Sequence, residues 1–182
     1  MNSKSIALVG LSGVGKTTFL SSLVSDFSFR HAEASQIIKA QKEYISNEAL
    51  SSEGLRNRDI HDNQSLLVDG FHRLFPSEEI TTVLDGHTII DTPTGVIPIP
   101  ASVFADIGLH FMVYLRGDPR VIASQRQLDK SRNRPERSPN EIAVQQRQAI
   151  ETAVSITDEI GCPLFVLTHS QGEYFERLLL RD

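Results

Sequence analysis

Apolar residues in this chain gather into short runs separated by longer stretches of helical spacing. Ile6–Val9, Thr82–Leu84, Leu109–Leu115 and Leu164–Leu167 are compact runs rich in Val, Ile, Leu and Phe, as expected of strands buried on both faces. A further short strand is predicted at Phe27–His31. Phe19, Leu20, Leu23, Val24 and Phe27 recur at helical spacing, and so do Leu66, Leu67, Phe71, Leu74 and Phe75, closed by Pro76. Other helices are predicted over Ser35 to Leu50, Pro119 to Leu128, Asn140 to Ile160 and Gln171 to Leu180, with Ser138-Pro139-Asn140-Glu141 as a helix start. This alternation predicts a parallel sheet joined by right-handed crossovers. The ligand is then expected at the carboxyl edge, which carries Gly10, Asp85, Arg116 and Thr168.

With 182 residues the chain suits one sizeable core, so a single domain spanning residues 1–182 is expected. A net charge of −5 argues against a nucleic-acid binder, whose footprint is normally basic. The basic residues are uneven, however: eight of the eighteen fall between Arg116 and Arg147, which marks a local anion site. The lone Cys162 reads as a small buried hydrophobe in a reducing compartment. No apolar run approaches the roughly 18 residues of a membrane span, and there is no repeat or low-complexity tract. The expectation is an unprocessed cytoplasmic protein without membrane or nucleic-acid partners.

The sharpest motif is Gly10-Leu11-Ser12-Gly13-Val14-Gly15-Lys16-Thr17, a complete G-x-x-x-x-G-K-[ST] sequence between the strand Ser5–Val9 and a helical pattern. Glycines at 10, 13 and 15 let backbone N–H groups turn around an anion, and the helix N-terminus adds its positive dipole. Lys16 can reach the β- and γ-phosphates of ATP, Thr17 can place its hydroxyl on Mg²⁺, and Ser12, Val14 and Thr18 complete the loop. Asp85 ends a strand with an acid and is the candidate to orient Mg²⁺ or its water.

Arg126, Asp129, Arg132, Arg134 and Arg137 have the makeup of a basic flap over transferring phosphate, at about residues 129–140, and Arg147 lies on the next helix. Arg56-Asn57-Arg58-Asp59 provides a second basic point, where Arg58 could hold an acceptor phosphate. Asp91-Thr92-Pro93 is reminiscent of a GTPase switch, but Thr94 precedes Gly95 and no guanine-recognition run is present. The histidines, including His61, His72, His87 and His169, lack metal-ligand spacing.

Taken together, the loop Gly10–Thr18, the run from Val83 to Gly95 with prolines at 98 and 100, and Arg132-Asn133-Arg134 resemble the archaeal-type adenylate kinases. The resemblance covers most of the chain. It implies a P-loop NTPase three-layer α/β/α sandwich with a five-stranded parallel sheet, a helical acceptor-binding flap at about 32–80 and a short lid. It further implies that Gly10–Thr18 bind the ATP phosphates and that Arg58, Asp85 and His87 serve the acceptor. Arg132 and Arg134 would meet the transferring phosphoryl, and self-association would be expected. Two departures open other acceptors: Ile60-His61-Asp62 stands where the family tends to have a second acceptor arginine, and Asp91 where it tends to have a basic residue. Asp91 could serve a hydroxyl nucleophile instead.

The expectation is therefore Mg²⁺-ATP-dependent phosphoryl transfer to a nucleoside monophosphate. The alternatives are a nucleoside or small-metabolite kinase, and a nucleotide-state switch or ATPase with a protein partner, moving at Asp91–Gly95. Catalysis by positioning and charge needs Lys16 above all. A Lys16→Ala variant is expected to fold and to lose phosphoryl transfer, measured as ADP formation; wild-type turnover would overturn the assignment.

Overall fold

A computed structural model of the protein describes residues 4–23, 28–51, 63–76, 80–129 and 135–180. The chain begins with β1 (Ser5–Val9), α1 (Lys16–Ser21), β2 (Arg30–Glu33), α2 (Ala34–Ser51) and α3 (Asn63–Leu74). Next come β3 (Thr82–Gly86), β4 (Ile89–Thr92), β5 (Gly95–Pro98), α4 (Ala101–Ile107) and β6 (Phe111–Arg116). It continues with α5 (Pro119–Leu128), α6 (Pro139–Ile160), β7 (Leu164–Thr168) and α7 (Gly172–Leu180). Five strands form one parallel sheet in the order β2-β3-β1-β6-β7, while β4 and β5 pair separately as an antiparallel hairpin.

The three-layer α/β/α architecture explains why the strand runs show no polar alternation. Ile6, Ala7, Leu8 and Val9 of β1 are all fully buried, since helices cover both faces of the central strand. Phe19 of α1 meets Phe175 of α7 edge to face at 5.4 Å between centroids. Local sequence sets the helix starts near the site. Asp118 accepts the Arg120 N–H at 2.8 Å ahead of Pro119, and Ser138 with Glu141 forms a reciprocal capping box ahead of Pro139. Among the described residues no helix is long and apolar enough to cross a membrane.

Four predicted boundaries move for identifiable reasons. The first helix stops at Ser21, where the Ser22 hydroxyl donates to the Phe19 carbonyl at 2.8 Å; Val24 and Phe27 lie outside the described residues. β2 runs over Arg30–Glu33 rather than up to His31, because Arg30 anchors it to β3 through Thr81 O and Thr82 Oγ1. β6 starts at Phe111 rather than Leu109, whose N–H still bonds to Phe104 O at the end of α4. The final helix begins at Gly172, after a short 3₁₀ turn at His169–Gln171. The β4–β5 hairpin and α4 were not anticipated, although Ile89-Ile90, a Thr-Pro-Thr-Gly turn and Val96-Ile97 carry a hairpin signal.

Tyr114 is fully buried on β6, and its hydroxyl has no hydrogen-bond partner among the described residues. Burial pushes its ionisation upward, so the group stays neutral. Removing an unsatisfied buried hydroxyl while keeping the ring is favourable. Tyr114→Phe is expected to stabilise the fold by about 1 kcal/mol in thermal or denaturant unfolding, and destabilisation of that size would contradict the assignment.

Candidate active site

Parallel strands deliver their last residues to a common edge, and β1, β2 and β3 end side by side there. Glu33 stands in register with Asp85, and Asp85 with Leu8, one residue before Val9 and Gly10. The chain leaving β1 wraps into α1 through a loop closed by Val14 N–H to Leu11 O at 3.1 Å. At Gly10 an added Cβ would lie 2.7 Å from the Leu115 carbonyl of β6, so only glycine permits this approach. Gly15 precedes the helix at φ +89°, a left-handed conformation that L side chains rarely adopt, and a Cβ there would press on His169. The loop thereby presents the N-terminus of α1 to a cavity of about 310 Å³ lined by Ser12, Gly13, Lys16, Thr17, Glu33 and Asp85, among others.

Lys16 is buried, with 7% of its surface exposed, and burial of an ammonium demands a partner. Asp85 supplies it: Lys16 Nζ lies 3.4 Å from Asp85 Oδ1. The other carboxylate oxygen lies 3.3 Å from His31 Nε2. His87 Nδ1 donates to Gly10 O at 2.6 Å, which leaves Lys16 Nζ, 3.5 Å away, as a charged neighbour of the ring. Predicted residues Lys16, Asp85 and His87 are thus brought together with the loop, and Thr17 and Thr18 line the same cavity with exposed side chains. Val14 differs: its side chain is buried in the core, so only its backbone faces the loop interior.

The donor set fits Mg²⁺. Thr17 offers an exposed hydroxyl, Asp85 an ionised carboxylate, and hard oxygen donors are what this ion takes. Among the described residues no group of three or more His, Cys, Asp or Glu could hold a metal by itself, so the ion would come with the nucleotide's own oxygens.

Other expectations fare differently. Arg58, Arg132, Arg134 and His61 lie outside the described residues. Arg147 and Arg116 are exposed and do not line the cavity. His72 Nε2 donates to Asp106 O at 2.8 Å, tying α3 to α4. Cys162 is half-buried rather than fully enclosed. Asp91 is engaged by two cations, Arg126 Nη1 and Arg137 Nη2 binding its two oxygens at 3.1 and 3.0 Å, in a cavity of about 190 Å³ that Ser12 and His87 also line. The Asp91–Gly95 turn is further closed by Thr92 Oγ1 donating to Gly95 O at 2.7 Å. Sequence reasoning missed His31, Glu33, Ser35 and Gln125, which reach the site from β2, α2 and α5. The strand-ending position of Glu33 was the available signal.

Comparison with known proteins agrees with this geometry. A model of the AAA domain family matches residues 9–143. The chain is 27% identical over 172 residues to an adenylate kinase of Thermoplasma acidophilum, covering 91% of this chain and 90% of that protein. Among solved structures, a shikimate kinase from Bacteroides thetaiotaomicron superposes with a TM-score of 0.55 at 16% identity, over 98% of this chain and 99% of that one. A sugar kinase from Janibacter sp. gives 0.53 at 16% identity over 98% and 93%. A gluconokinase from Sinorhizobium meliloti gives 0.52 at 14% identity over 97% and 89%. At such identities the solved structures establish a shared fold. The resemblance read from the loop, the strand-ending acid and the late arginines is matched by the adenylate kinase relative.

Burial opposes ionisation of Asp85 and pushes its pKa up, but the hydrogen bond from His31 and the charge of Lys16 outweigh it and hold the carboxyl below its usual range. A carboxyl depressed on folding contributes stability above its unfolded pKa and loses it as pH falls through the folded one. Asp85→Asn is therefore expected to flatten the acid side of the melting temperature against pH profile, below about pH 4. An unchanged acid limb would show that other carboxyls govern it.

Proposed function

The chain belongs to the AAA domain family of P-loop proteins, and from that premise we propose that it is an ATP-dependent phosphotransferase. Its first acceptor in this reading is a nucleoside monophosphate. The carrying observation is one cavity that joins the phosphate loop, with buried Lys16 against Asp85, to the start of α2 at Ala34 and Ser35. Donor phosphates at the loop and an acceptor at α2 would then face each other across Lys16.

Phosphoryl transfer of this kind needs little covalent participation by the protein, and proceeds by positioning and charge stabilisation. Lys16 would balance the charge of the β- and γ-phosphates, and the loop N–H groups would orient them. Thr17 and, through water, Asp85 would hold the Mg²⁺ that accompanies ATP, whose charge offsets that of the phosphates. Arg58 would bind the acceptor phosphate, from an acceptor segment at about 32–80. Arg132 and Arg134, in a lid at about 129–140, would face the transferring group.

A second reading has its own observation. Glu33 lines the same cavity and stands beside Asp85 in the β2–β3 register, where a carboxylate could take the proton of a hydroxyl acceptor. A small hydroxylated metabolite would then replace the monophosphate.

The test is ADP formation from Mg²⁺-ATP across nucleoside monophosphates, nucleosides and small polyols, with products identified by mass. Turnover stimulated by one monophosphate, yielding its diphosphate, supports the first reading; ATP loss indifferent to every acceptor overturns both. Glu33→Gln separates them. It is expected to lower kcat by about 10²- to 10⁴-fold with a hydroxyl acceptor, the usual share of a general base, and to leave kcat nearly intact with a monophosphate.

A further inference from the structure

The β4–β5 hairpin is stapled to the phosphate loop by one carboxylate and two guanidinium groups. Asp91, Arg126 and Arg137 keep 14%, 7% and 18% of their side-chain surface exposed, so this cluster is largely withdrawn from water. Arg126 holds Asp91 Oδ2 through Nη1 at 3.1 Å and the Ser12 carbonyl through Nε at 2.8 Å. Arg137 holds Asp91 Oδ1 through Nη2 at 3.0 Å, and the same nitrogen reaches Thr92 O at 2.8 Å. Asp91 itself is absent from the lining of the cavity that contains Lys16.

We propose that Asp91 is a positioning residue for nucleotide binding, acting on the phosphate loop through Arg126. The inference rests on the reading of residues 10–18 as a nucleotide phosphate site. The mechanics follow from the peptide plane. In a trans peptide the N–H points opposite to the C=O, so tying the Ser12 carbonyl to Arg126 fixes the direction of the Gly13 N–H within a loop whose Ser12 and Gly13 line the Lys16 cavity. The Arg126 stem braces the same point, since a Cβ built on Gly13 would lie 2.9 Å from Arg126 Cγ.

Asp91 sets the height of that guanidinium. A planar fork can satisfy two acceptors only when both sit at fixed positions, and Arg137, itself anchored on the Thr92 carbonyl, holds the carboxylate on the hairpin side. The carboxylate also lies between two cations and offsets part of the repulsion between them in a partly desolvated place. Removing its charge frees Arg126 to leave the Ser12 carbonyl, and the loop loses one constraint on its N–H array.

The experiment is calorimetric titration of Mg²⁺-ADP into the intact chain, with melting temperature and acceptor KM measured alongside. Asp91→Asn and Arg126→Lys are each expected to weaken Mg²⁺-ADP roughly tenfold, with the double variant no weaker than either single one, because both break the same linkage. Acceptor KM should stay at its wild-type value. Should Asp91→Asn fail to fold, Arg126→Lys carries the test, since an ammonium keeps the charge beside Asp91 but cannot span both acceptors. Wild-type Mg²⁺-ADP affinity in either folded variant, or a change confined to acceptor KM, overturns this inference alone. No Mg²⁺-ADP binding by the wild-type chain overturns the nucleotide reading and the inference together.

Discussion

A lysine ammonium held almost out of water at the start of α1 is the constraint on which the site depends. Burial of such a group is unfavourable unless an opposite charge stands beside it, and Asp85 is placed there by the pairing of β1 with β3. Asp85 in turn needs more than one donor, and His31 arrives from β2 because β2 pairs with β3 on the other side. His87, just past β3, ties Gly10 into the same cluster. The strand order β2-β3-β1 is therefore the electrostatic arrangement as much as the architecture.

The same logic extends to the far side of the loop. There the charge is carried by Arg126 and Arg137 around Asp91, and the two networks meet at the loop backbone, one at Gly10 and the other at Ser12. A phosphate loop works by fixed N–H directions, and fixed directions need the carbonyls behind them to be occupied. Helix capping contributes at one remove: the Ser138–Glu141 box and the Asp118 cap start α6 and α5 so that Gln145 and Arg126 face the loop and hairpin. Nothing in this assembly requires a covalent intermediate, which agrees with a transfer reaction run by position and charge.

The solved structures that share the fold are a sugar kinase, a gluconokinase and a shikimate kinase, whereas an adenylate kinase is a relative by sequence. Lys16, Thr17, Asp85, Gly13 and Gly15 line one cavity together with Glu33 of β2 and with Ala34 and Ser35 of α2. Glu33 lines that cavity, whereas the Asp91 carboxylate is bound by two arginines outside it.

The sequence by itself determined the phosphate-loop motif and most of the sheet. The loop motif is contiguous, and its geometry follows from local glycine and helix-terminus physics, so Gly10 to Thr18 could be read without tertiary contacts. Buried parallel strands show themselves as largely apolar runs, which is why β1, β3, β6 and β7 are legible within a few residues, whereas β2 is Arg-His-Ala-Glu and lies two to three residues beyond the strand expected at Phe27–His31. Only the tertiary structure decided what the charged residues do. Asp85 and Asp91 are both acids flanked by Thr, Gly or apolar residues, and no spacing rule says that one meets Lys16, 69 positions away in the chain, while the other is clasped by Arg126 and Arg137. Helical and strand periods report which face is buried; they carry no information about which distant partner neutralises a charge, because that depends on strand order and on where α5 and α6 cross the sheet edge. The hairpin escaped prediction for a related reason, since two four-residue strands acquire their meaning only from the arginines that hold them.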